Sequence, residues 1–338
     1  MSSALFLTAL GGLVLASYPS YQTLQILYGY WGFTSVFLFW GAMIKATRLW
    51  GGDNNQGKAF GFLDGGRGIV AASMGSIGVF VFTIVLTNDI ESASVLERQE
   101  AFRYVILLSS FMVAFIGLLV LIFLRNMEDK NTNFELPLNT LTNIKGVLKN
   151  ESIWLLMLII MCAYVGYKVT DIYSLYASEV MLYDQIEAAE VGALQLYLRP
   201  IVCIAIGLLA DRTKNMFWII FGFVTMLIGA LIFSFGIIKP DMNFIFFLSL
   251  VILAVGTYSI RALYFAVLKE ANVAFALTGT AVGIISVVGY SPDIFAGPIM
   301  GYLLDENPGI IGHQYVYFML VIFSIIGLIA SIRFARLT

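Results

Sequence analysis

Charge is scarce in this sequence. Only 12% of its 338 residues are Asp, Glu, Lys or Arg, against roughly 25% in ordinary soluble domains. The few cations form no basic face or cluster, which argues against nucleic acid as a partner. There is one histidine, and there are two cysteines. Cys162 and Cys203 lie inside apolar runs with no ligand spacing around them, and His313 stands alone at an outer helix end. With no Ser/His/Asp set and no phosphate-cradling glycine loop, neither enzyme activity nor a cofactor or metal is expected. The first apolar segment lacks a basic n-region and an A-x-A site, so no cleavable signal is expected either.

Apolar length is abundant. Hydrophobic residues make up 60% of the chain and the mean hydropathy is +0.90. A helix needs about 20 mainly apolar residues to cross a bilayer core, and about ten stretches approach or exceed that. They lie near 3–19, 22–46, 58–87, 102–125, 152–178, 188–210, 215–238, 243–268, 275–304 and 313–335. With both termini placed in the cytoplasm, the outside loops hold only Arg98, Arg103 and Lys239, and the other loop cations fall inside. The expectation is an all-α polytopic membrane protein. Residues 1–125 would form a partial N-terminal bundle, 126–151 a polar cytoplasmic linker, and 152–338 a C-terminal six-helix bundle.

Several charges sit inside these runs, where an ionisable side chain costs several kcal/mol unless it meets a partner or a watery space. Lys168 and Asp171 are three residues apart on one helix face, with Tyr164 joining them. They read as a substrate- or proton-coupling pair, or else as a self-neutralising structural pair. Arg199 precedes Pro200. It offers a planar fork to carboxylate or phosphate, or it serves the carbonyl freed by the proline, or it pairs with Asp171 or Asp293. Arg261 reads as cavity-facing, with snorkelling as the alternative. Asp293 follows Pro292 mid-span and is a candidate proton carrier. Asp64 and Arg67, three apart near a cytoplasmic end, are expected to pair with each other or with Arg48 as a gate or latch. The small surplus of intramembrane cations favours an anionic or polyhydroxylated solute.

Two longer patterns then carry a resemblance. Gly207-Leu-Leu-Ala-Asp211-Arg212 is similar to the G-x-x-x-D-[RK] loop of the major facilitator superfamily. Phe60–Ile69 can also be laid on Phe275–Ile284 with Phe60/Phe275, Gly68/Gly283 and Ile69/Ile284 matched. Arg48 with the glycine-rich 57–68 segment, and Tyr290–Gly301, resemble the fifth and eleventh helix regions of organic-solute members. The resemblance implies a two-bundle transporter fold, and by its registration the first two helices of the family lie outside this chain. It also implies that Asp211 and Arg212 act as a cytoplasmic conformational switch.

The expected function is secondary active transport of a small polar or anionic organic solute by alternating access, with protons as a candidate coupling ion. The expected protein is a monomer in a bacterial inner membrane. The alternative is a non-transporting membrane sensor or assembly protein, or an inactive truncated transporter.

Overall fold

The computed structural model of the chain describes residues 1–85, 94–124 and 140–338, and every regular element among them is helical. Of the linker expected over 126–151, residues up to 139 lie outside the described ones; the remainder holds α6 (Thr140–Leu148) and the first residue of α7 (Glu151–Val169). Two compact units divide the chain: Met1–Ala46 with Val70–Leu138, and Thr47–Ile69 with Asn139–Thr338.

In the first unit, α1 (Ser2–Leu15) lies along α5 (Val95–Phe123). Their approach is close because Gly12 faces Ser110 and Gly117 faces Leu5, while the Ser2 hydroxyl donates to Gly117 O at 2.7 Å. Ser94 and Glu97 form a reciprocal capping box that fixes the start of α5. The second predicted span is one unbroken helical run: α2 (Tyr21–Trp31), a π-helical stretch (Gly32–Trp40), then α3 from Gly41 to Gly51. Where the helix widens, Ser35 and Thr34 both donate to Trp31 O, at 2.5 and 3.4 Å, and so compete with the backbone for that carbonyl.

The second unit takes α4 (Gln56–Val85) through Ile69, and all helices from α6 onward. At its centre α10 (Asn215–Ser234) packs on α11 (Asn243–Leu263) and α14 (Ile310–Leu337). A Cβ on Gly256 would lie 2.7 Å from Gly222 O, so the α10–α11 crossing requires glycine on both sides. An aromatic core of Tyr176, Phe233, Phe246 and Tyr317 fills one end, with Phe233 stacked on Tyr317 at 4.3 Å.

Eight helical runs among the described residues are long and apolar enough to cross a membrane. The run Ser2–Leu15 is apolar but shorter. With the α2–α3 run, these account for the predicted spans. Large apolar side chains such as Phe111, Phe244 and Ile294 are exposed, which suits a lipid environment.

Two spans are broken where the sequence reads as continuous. The helix containing Lys168 ends at Val169, passes through a 3-10 turn (Thr170–Ile172) and resumes as α8 (Tyr173–Glu179). The stretch predicted over 275–304 divides into α12 (Thr278–Gly289) and α13 (Pro292–Glu306). Proline suits the first position of a helix and has no N–H with which to continue the preceding one, so Pro292 starts α13 just after Tyr290 leaves helical backbone (φ -102°, ψ 7°).

Candidate functional site

The site begins with glycine. On α4, Gly57, Gly61, Gly65 and Gly68 form a smooth stripe against α9 (Gln185–Asp211). A Cβ on Gly61 would come 2.6 Å from Cys203 O and 2.8 Å from the Cα of Gly207, so only glycine permits this approach. At the end of the stripe, Asp211 accepts hydrogen bonds from the backbone N–H of Gly57 at 2.7 Å and of Lys58 at 2.8 Å, and so caps the start of α4. The two helices are thereby held face to face, which brings Asp64 onto Arg199.

Both Asp64 oxygens are taken by the Arg199 fork: Nη2 donates to Oδ1 at 2.8 Å and Nε to Oδ2 at 3.3 Å. Arg67 Nη1 reaches Oδ1 at 3.3 Å from the same helix. Arg261 of α11 places Nε 3.7 Å from Oδ2, close enough for an ion pair and too far for a hydrogen bond. The thiol of Cys203 donates to Oδ2 at 3.4 Å. Asp64 and Arg261 are each 5% exposed. One carboxylate thus stands among three guanidiniums.

A second charged set lies at the helix breaks. Lys168 Nζ is 2.8 Å from Asp171 on its own chain segment and 3.9 Å from Asp293 in the first turn of α13. Tyr164 donates to the other Asp293 oxygen at 3.0 Å. Here both carboxylates are about half exposed. Breaking helices at membrane depth is tolerated where the backbone meets protein or water, and both breaks coincide with this set.

Tyrosines join the two sets. The Arg261 guanidinium lies over the Tyr167 ring at 3.8 Å and faces Tyr164 at 5.5 Å, while Arg199 lies 5.9 Å from Tyr167. Tyr164 packs edge-on against Tyr290 at 4.8 Å, and the Tyr290 and Tyr264 hydroxyls are 3.1 Å apart. Arg261 Nε and Nη1 are buried without a hydrogen-bond partner. Such donors carry a desolvation cost that an anionic oxygen would relieve. Among the described residues, no group of three or more His, Cys, Asp or Glu is placed to hold a metal ion.

Several expected partnerships are corrected. Arg199 pairs with Asp64, not with Asp171 or Asp293. Arg48 does not reach Asp64: it donates to Thr278 Oγ1 at 2.7 Å and to Val273 O at 2.8 Å, because α3 leads it towards the start of α12. Asp293 lies at a helix start and not mid-helix. Arg212 is exposed at the end of α9, while its neighbour Asp211 does the capping. His313 is fully buried, with Nε2 3.0 Å from Glu179 Oε2, so it is not solitary. The pairing of Asp64 with Arg67 and of Lys168 with Asp171 is as the three-residue spacing predicts. Tyr167 is not singled out in the sequence, Tyr290 stands there only within the 290–301 stretch, and Cys203 only as a cysteine in an apolar run. Tyr167 shares a face with Tyr164, and Cys203 lies one turn beyond Arg199, so helical spacing from a known charge would have found both.

A profile described as Major Facilitator Superfamily matches residues 1–296. The chain is 25% identical to the inner membrane protein YihN of Escherichia coli, over 99% of this chain and 79% of that protein. It is also 25% identical to the inner membrane protein YqcE of the same organism, over 94% and 74%. Among solved structures it is similar to the transporter FucP in an outward conformation, with a TM-score of 0.75 at 16% identity, covering 98% of this chain and 82% of that one. A bacterial homologue of the iron transporter ferroportin, in an outward-facing state, gives 0.68 at 13% identity, over 99% and 82%. Proteins of this kind move small-molecule solutes and are not enzymes. On the profile match and the helical architecture that carries it, the chain is an integral membrane protein and belongs to the Major Facilitator Superfamily of transporters.

Proposed function

We propose that the chain carries a small organic anion, with Arg261 as the residue that receives its charged group. The observation that carries this reading is the pair of buried Arg261 nitrogens without a hydrogen-bond partner among the described residues, in a cluster whose cations outnumber its one acid. A carboxylate or phosphate accepts two hydrogen bonds from a planar guanidinium, so it satisfies those donors and offsets the charge together. The Tyr164, Tyr167 and Tyr290 rings beside it offer flat faces to the rest of the solute. Transport proceeds by alternating access, with both termini on the cytoplasmic side and the protein acting as a monomer.

Proton coupling is assigned to Lys168, Asp171 and Asp293. Two half-exposed carboxylates share one lysine, so protonating either shifts the lysine towards the other. Asp293 also accepts a hydrogen bond from Tyr164, whose own ring faces Arg261, and this link supports coupling between Asp293 and the anion site. Gly207, Asp211 and Arg48 serve as gating and packing residues at the cytoplasmic end.

The test is calorimetry on the purified protein in detergent with glucose 6-phosphate, glucuronate and glucose at matched concentrations. Heat from at least one acid and none from glucose is expected, and Arg261→Gln should abolish it. Binding of glucose alone, or equal binding by Arg261→Gln, rejects the assignment.

A further inference from the structure

Asp64 already sits where a solute carboxylate would be held. Its two oxygens occupy the side-on fork of Arg199, and it lies 3.7 Å from Arg261 and 3.3 Å from Arg67. The only other donor that reaches it among the described residues is the Cys203 thiol at 3.4 Å, a weak one. Among the described residues no backbone N–H or hydroxyl anchors the carboxylate. Its position therefore depends on guanidiniums, and guanidiniums donate as readily to another carboxylate or to a phosphate.

We propose that Asp64 is an internal surrogate for the solute's anionic group, holding Arg199 and Arg261 while the site is empty and giving them up when a carboxylate or phosphate arrives. The inference rests on the anion-binding reading above and adds a competitor to it. Three consequences follow from the geometry. A neutral solute displaces Asp64 poorly, because it offers the arginines hydrogen-bond acceptors but no charge in exchange, so the competition itself selects for charge. The empty site avoids an uncompensated buried arginine pair, whose cost would otherwise be large. Displacement also reports occupancy to α4, because Asp64 is carried by the helix whose glycine stripe lies on α9 and whose first turn is capped by Asp211.

The experiment compares wild type with Asp64→Asn, full chain in detergent, by calorimetry with glucose 6-phosphate and glucuronate. Removing the competitor should tighten binding at least tenfold for whichever acid binds wild type. It should also slow entrance counterflow in proteoliposomes, since nothing then drives the anion off. If wild type binds an acid and folded Asp64→Asn binds it equally or more weakly, the surrogate role is overturned while the anion reading stands. If wild type binds neither acid, both fall. Should Asp64→Asn not fold, the S–H stretching band of Cys203 gives the answer in Cys162→Ser protein: saturating glucose 6-phosphate should shift it as the bond to Asp64 is lost. A band unmoved by bound probe overturns the proposal.

Discussion

The two charged sets use the same chemistry in different surroundings. In the Asp64 set, Asp64, Arg199 and Arg261 are buried and Arg67 alone is exposed, and the carboxylate is gripped by Arg199 through two hydrogen bonds. In the Lys168 set the acids are half exposed, and one lysine lies 2.8 and 3.9 Å from two competing carboxylates. Two unit charges about 4 Å apart attract by ~1 kcal/mol in water and by ~4 kcal/mol at an effective dielectric of about 20. The buried set is therefore hard to open without a replacement anion, while the exposed set can exchange partners on its own. One is suited to holding charge and the other to passing it.

The sharpest way to break this contrast is to delete one acid from each set. Asp64→Leu leaves two buried arginines uncompensated and should cost about 3–5 kcal/mol. Asp171→Asn should change stability by no more than about 1 kcal/mol, as exposed pairs do. Thermal unfolding in detergent, followed by size-exclusion fluorescence, measures both. Equal losses would mean that the difference in burial has no energetic consequence.

Function should invert the order. Lys168→Met should fold normally yet lose at least tenfold in uptake, because neither carboxylate then has a mobile partner. Asp293→Asn should keep solute binding but lose acceleration by an imposed proton gradient, whereas wild type responds to it. Proteoliposome uptake of glucose 6-phosphate with and without a pH step separates the two. A gradient response surviving in Asp293→Asn would move the coupling role to Asp171.

Much of this contrast was legible beforehand, and its limits have physical causes. Lys168 with Asp171, and Asp64 with Arg67, were found because a three-residue spacing fixes a shared helix face. The Asp64–Arg199 pair was not, since its members are 135 residues apart in sequence and meet only through packing of α4 on α9. The glycine stripe was visible, but a stripe names no partner. The break at Tyr290-Ser291 had a signal in Pro292. The one after Val169 had none, for Thr170, Asp171 and Ile172 carry neither glycine nor proline. The span count was read from hydropathy, which tracks the bilayer requirement directly.

Smaller effects should separate tight from open glycines. Gly61→Ala forces a Cβ against the backbone of Cys203 and Gly207, which cannot yield as a flexible side chain would, and should cost about 1–3 kcal/mol. Gly297→Ala meets nothing within 4 Å and should stay within about 0.5 kcal/mol of wild type. If the two melt alike, close approach of α4 and α9 is not what seats Asp64.

The smallest effect tests burial outside the spans. Glu270, in the loop after α11, accepts a hydrogen bond from Asn215 at 3.0 Å, yet burial raises its carboxyl above the ordinary 4.5, outweighing that bond and the nearby Lys214. Well below pH 4.5 the folded and unfolded chains both hold the proton, and Glu270 adds no pH dependence. Above it the unfolded chain releases the proton first, so stability falls with rising pH until the folded carboxyl has ionised too. Glu270→Gln keeps an oxygen for Asn215 and removes the charge. It should therefore melt slightly higher than wild type at neutral pH and match it in acid. A variant less stable at neutral pH would show that the ionised carboxylate is favoured where it stands.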